Sequence, residues 1–202
     1  MKFKSVLLLA AAIGTSVAFT SFTISSKENS AKKNSITTDT SDTKRIVINE
    51  QYSLEVPKHM KPTTELNDDA SLQYQNTEEE LYVIVIDETT DDFVKLFRKE
   101  KGWNSGMTNA ENYRRVQMES IKKRMKIKGK PVVRKTKAGT VEMEIADFSG
   151  KVKGISFPIA YKIGFLETGK HLYMIMSWTL GERKSLHNNT MENMLKSFRS
   201  VD

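Results

Sequence analysis

Lys122, Lys123, Arg124, Lys126, Lys128 and Lys130 place six cations within nine consecutive residues. Side chains of one sign at this density can hold an anionic partner, either an acidic protein or an anionic membrane surface. They also suit the end of a solvated helix, where cations face the negative pole of the backbone dipole. Nucleic acid fits poorly, because no aromatic residues interleave with these cations to stack on bases. The six residues are therefore the candidate anionic-partner patch.

Other reactive combinations are sparse. His59, His171 and His187 are the three histidines, none at metal-ligand spacing from another. Ser120-Ile121-Lys122-Lys123 matches a serine–lysine nucleophile pattern, but so does Ser30-Ala31-Lys32-Lys33, and the companion motifs are missing. Asp87, Glu88, Asp91 and Asp92 offer oxygen ligands without the spacing of a calcium loop, and helix capping accounts for Asp91 and Asp92. The chain has no cysteine, which removes thiolate nucleophiles, thiolate zinc sites and disulfides. These residues assign no catalytic, cofactor or metal site. The expected function is a non-enzymatic binding or assembly domain. A carboxylate-based hydrolase and a membrane-tethered structural factor are the alternatives.

Position in the cell is read from the N-terminus. Lys2 and Lys4 precede an apolar run, Val6–Ile13, with a softer continuation to Ile24. A cationic start followed by a short apolar core predicts an export signal, with Ser16-Val17-Ala18 supplying small residues for cleavage after Ala18. The same 6–24 stretch is about long enough for an uncleaved anchor. Without a cysteine near Ala18, lipid anchoring is excluded. The expected location is periplasmic or extracellular. Residues 25–43 are rich in Ser, Thr, Asn, Asp and Lys and predict a flexible linker. Residues 44–202 form one domain, large enough to bury a core without staples.

Charge divides this domain. Residues 65–100 hold eleven acids against Lys95, Arg98 and Lys99, whereas residues 114–137 hold eleven Lys/Arg and one acid, Glu119. The basic block could face an external anion or the chain's own acidic block.

The elements that must carry these residues follow from periodicity. Arg45–Ile48 and Tyr52–Val56 predict a hairpin; Leu72–Gln75 and Leu81–Asp87 predict a second pair. The nearly continuous apolar run at Leu81 predicts a strand covered on both faces. Thr89 or Thr90 caps a helix near Asp91–Lys99. The capping box Thr108-Asn109-Ala110-Glu111 opens another, expected to run to about Lys126 until Gly129 and Pro131 stop it. Gln117 and Arg114 interrupt its apolar stripe. Trp103, in the glycine-flanked loop between the helices, reads as a plug over the core. Strands Val132–Lys137, Thr140–Phe148, Ile155–Leu166 and His171–Leu180 then form an antiparallel meander, with Pro158 marking a bulge or edge. A last helix, Ser185–Arg199, carries Met191, Met194, Leu195 and Phe198 on one stripe. The fold class is α+β, a central antiparallel sheet flanked by helices.

This order of elements resembles the PsbP-like family, an α/β/α sandwich. The resemblance rests on Tyr52-Ser53-Leu54-Glu55-Val56-Pro57, the strand Leu81–Ile86, the paired strands Ile155–Leu166 and His171–Leu180, and the closing Met194-Leu195-Lys196-Ser197-Phe198. It covers most of residues 44–202. The family includes a photosystem II extrinsic protein, a Ran-binding nuclear import factor and uncharacterised bacterial exported proteins. It implies non-enzymatic binding or assembly. These are packing motifs, so no functional residue carries over, and no photosystem or Ran-contact motif occurs.

Overall fold

The computed structural model describes residues 42–99 and 103–201. The expected export signal or anchor, and the expected linker up to residue 41, lie outside the described residues. Two sheets form. Strands β1 (Thr43–Ile48) and β2 (Tyr52–Pro57) make the expected hairpin, and β10 (Arg199–Ser200) pairs with the other edge of β2. The larger sheet has seven strands in the order β3-β4-β5-β9-β8-β7-β6. Its members are β3 (Lys61–Pro62), β4 (Leu72–Asn76), β5 (Leu81–Thr89), β6 (Met125–Ala138), β7 (Val141–Val152), β8 (Ile159–Thr168) and β9 (His171–Leu180). Every pairing is antiparallel.

The first hairpin does not join the central sheet. It lies over one face of that sheet because Tyr52, Leu54 and Val56 are completely buried there. Tyr52 stacks on Phe198 at 5.5 Å and meets Tyr173 of β9 edge-on at 5.3 Å. Helix α3 (Lys184–Lys196) shares this layer through Met191, Met194 and Leu195. It ends earlier than periodicity predicts, and Arg199 and Ser200 complete the small sheet instead.

The opposite face of the large sheet is covered by α1 (Thr90–Phe97) and α2 (Asn109–Arg124). Phe93, Tyr113, Met118 and Ile121 pack on Phe148, Ile163, Phe165 and Met174. Both caps read from the sequence are present. Thr89 accepts from the Asp92 amide, and Thr108 and Glu111 satisfy each other's backbone donors. Trp103 is half-buried, with its ring 6.2 Å from that of Phe93, so it does plug the helical layer. The result is three layers, with side chains of β5, β8 and β9 buried on alternate sides.

Strand boundaries move as well, with β6 starting at Met125 and β7 running on to Val152. Strand β8 begins at Ile159, not Ile155. The Pro158 carbonyl instead accepts from the Gly181 amide at 2.7 Å, and Pro158, having no N–H, cannot continue a ladder. Helix α2 ends at Arg124, and β6 begins immediately at Met125. Among the described residues, no helix is long and apolar enough to cross a membrane.

Candidate functional site

The α2–β6 junction decides where the cationic block goes. Met125 leaves helical geometry for an extended conformation. From there Met125 and Ile127 turn towards the core while Lys126 and Lys128 are exposed, the period-two pattern of a strand. Met125 belongs equally to the apolar stripe of α2, which is why periodicity extends the helix too far. Gly129 adopts φ 72°, and the pairing slips between Lys128 and Val132 so that Gly129, Lys130 and Pro131 bulge from the edge of the sheet.

The six predicted residues therefore do not form one helix end. Lys122, Lys123 and Arg124 occupy the last turn of α2, where the helix dipole favours them. Lys122 donates to Glu119 at 2.8 Å, and that hydrogen bond pulls the Glu119 carboxyl below its ordinary range. Lys126 and Lys128 lie on β6, paired in register with Lys151 and Ser149 of β7. Alternation along β7 puts Ser149 and Lys151 on the side of Met143 and Ile145, which is the side covered by α3. The sheet separates Lys126, Lys128 and Lys151 from the α2 cations, and Lys130 projects from the bulge between them.

Most of the remaining basic block is neutralised internally, whereas Arg115 hydrogen-bonds Asn112. Arg114 donates to Glu144 at 2.7 Å, Lys135 to Glu111 at 2.9 Å and Arg134 to Glu192 at 2.6 Å. These acids lie outside residues 65–100, so these pairs do not join the two charge blocks. Lys126, Lys128, Lys130 and Lys151 are exposed and have no acidic partner among the described residues.

Periodicity alone misses a buried polar cluster. Lys162 on β8 is 3% exposed. Its Nζ donates to Asp147 at 2.7 Å and approaches Glu192 at 3.5 Å. Lys184 donates to the other Asp147 oxygen at 2.6 Å, and Lys196 to Glu192 at 2.6 Å. Burial pushes the Asp147 and Glu192 carboxyls up. The surrounding cations outweigh it and hold both below their ordinary values. The cluster ties α3 to the sheet. Its signal was available: Ile159–Leu166 is apolar at nearly every position, so this strand is covered on both faces and the lysine within it is buried.

The acidic candidates serve the fold. Glu88 accepts from the Tyr113 hydroxyl at 3.0 Å and from Gln117 at 3.4 Å, which explains the glutamine in the α2 stripe. Burial raises its pKa. Two histidines lie closer together than their spacing suggests. His59 hydrogen-bonds Asn76 at 2.8 Å, and buried His187 lies 3.1 Å from the Glu79 carbonyl, both at the β4–β5 turn. Among the described residues, no three metal-ligating side chains converge.

Solved structures share this arrangement. The cyanobacterial PsbP protein CyanoP from Synechocystis sp. PCC 6803 superposes with a TM-score of 0.50 over 81% of this chain and 95% of its own, at 8% identity. The fold is PsbP-like. A Pseudomonas aeruginosa protein of unknown function, described as a putative regulator, gives 0.45 at 10% identity, covering 77% of this chain and 94% of that one. The Ran-binding protein Mog1p of Saccharomyces cerevisiae gives 0.46 at 11% identity, covering 79% and 96%. No family model and no curated protein matches the sequence. The PsbP-like fold places the lysines of β6 at an open margin of the larger sheet.

Proposed function

We propose that this chain is an exported, non-catalytic binding or assembly domain, and that it docks an acidic partner protein through Lys126, Lys128, Lys130 and Lys151. One observation carries this reading: Lys126 and Lys151 are direct cross-strand partners. Like charges in that position oppose each other and cost stability. Lysines on an edge strand are ordinarily explained as protection against edge-to-edge association. Lys151 lies one residue past the last β7–β8 pair, Gly150 opposite Ile159, and faces Lys126 across the β6–β7 ladder. An anionic ligand bridging the two ammonium groups relieves their repulsion. Glu88, held between α2 and β5 by Tyr113 and Gln117, supports a packing role for this partly buried carboxylate over a hydrolytic one.

The test is crosslinking in the native cells, comparing the natural chain with a Lys126→Glu, Lys128→Glu, Lys151→Glu variant. Capture of the partner should fall at least about tenfold, while a Lys122→Glu, Lys123→Glu variant on the other side of the sheet retains it. Equal capture by both variants defeats the proposal. If the triple variant loses binding to phosphatidylglycerol vesicles but no protein partner, the ligand is the membrane surface. N-terminal sequencing of the mature chain distinguishes cleavage after Ala18 from retention of an anchor.

A further inference from the structure

The lysines lead into a length of open backbone. Beyond the bulge, Val132–Ala138 pairs regularly with β7, from Val132 opposite Asp147 to Ala138 opposite Val141. The sheet ends at β6, so alternate residues of this stretch direct N–H and C=O groups away from the sheet. Such an edge is a template for another strand unless shortness, proline, bulges or charge blunt it. The far edge of the same sheet follows that rule, because β3 is only two residues long and contains Pro62.

In β6 the protection is confined to one half. Pro131 and the bulge both lie before Val132. After it, Val132 and Val133 are 64% and 41% exposed, so the strand is apolar on both sides at its start. Arg134, Lys135 and Lys137 are each paired with an acid of this chain: Glu192, Glu111 and Glu142. The segment is regular, β-prone and locally neutral, whereas Lys126, Lys128 and Lys130 next to it are not neutralised.

We infer that Val132–Ala138 accepts an extended segment of the partner as an added strand, apolar or β-branched along Val132 and Val133 and acidic where it passes Lys126, Lys128 and Lys130. Main-chain hydrogen bonds supply the docking and the lysines supply the polarity of the ligand. A second copy is a poor occupant: β6 itself contains no Asp or Glu to meet those lysines. This inference rests on the acidic-partner reading and specifies its geometry.

The experiment is amide hydrogen exchange by NMR on the full chain. The probe is a synthetic peptide with a valine- and threonine-rich stretch followed by glutamates, and the control carries lysines in place of the glutamates. The acidic peptide should slow exchange of alternate amides in Val132–Ala138 at least tenfold, and the control should not. Replacing the exposed valines, Val132→Lys with Val133→Lys, should weaken binding without altering the melt of the free protein. Binding that needs Lys126 and Lys128 but leaves the edge amides unchanged overturns strand addition and leaves the acidic-partner reading intact. Equal protection by the lysine peptide overturns it, as does absence of binding. Protection that appears with protein concentration alone identifies a second copy and also overturns it.

Discussion

Lys126 and Lys151 face each other across β6 and β7 with no carboxylate paired to either among the described residues. Reversing one charge converts a repulsive cross-strand pair into an attractive one. Lys151→Glu should therefore stabilise the isolated domain by about 0.5 kcal/mol, a rise of about 1–2 °C in Tm, while weakening partner capture. Thermal melts at low and high salt check this, because screening should shrink the difference.

The Lys162 cluster should behave oppositely. Asp147→Ala removes the nearest anion from a buried ammonium and should cost about 3 kcal/mol in urea unfolding. Lys162→Met keeps apolar volume in the same place and should cost much less. If Asp147→Ala is as mild as a surface change, Lys162 finds another partner and the cluster does not hold α3.

Stability should have an acid limb. Asp147 and Glu192 titrate below their ordinary values of 3.8 and 4.5 in the folded protein. The unfolded chain takes up their protons first, so their contribution is complete above those ordinary values and is lost as pH falls through the lowered ones. In denaturant melts across this range, a Glu192→Gln variant should show a shallower acid limb than the natural chain.

Glu88 should impose the reverse slope. Burial raises its folded value above 4.5 despite the hydrogen bond from Tyr113, with Asp69 and Asp87 adding to the rise. Its contribution is complete below the ordinary value and is lost as pH rises through the raised one. Glu88→Gln, which still accepts from Tyr113, should therefore gain on the natural chain as pH increases. A constant difference between the two melts across that range would contradict burial as the cause.

The cap of α2 offers a local check. Thr108 Oγ1 accepts from the Glu111 amide at 3.1 Å, and the Glu111 carboxylate accepts from the Thr108 amide at 2.8 Å. Thr108→Ala should cost about 1 kcal/mol. Because Glu111 also receives Lys135, Glu111→Ala should loosen α2 and β6 together, visible as faster amide exchange at both.

The periodic elements were legible because their cause is local. Alternation along β9, the capping box at Thr108 and the stripe of α3 each depend on residues within a few positions of one another. Met125 shows the limit. One apolar residue satisfies both the end of a helical stripe and the start of a strand, and only pairing with Val152 on β7 selects the strand. The first hairpin shows it again: Tyr52, Leu54 and Val56 announce a buried face without saying what buries it, and Tyr173 and Phe198 lie far away in the chain.

Sequence alone determined the α+β class, the strand-rich PsbP-like layout and a cationic segment with no reactive centre recognisable beside it. Tertiary structure decided which cations are spent on internal acids and which remain. It buried Lys162, brought His59 and His187 to one turn, divided Lys122 and Lys123 from Lys126 and Lys128, and set Lys151 opposite Lys126. The physical reason is range. Secondary structure answers to neighbours along the chain, whereas charge pairing and burial depend on distances in space that strand order and register set.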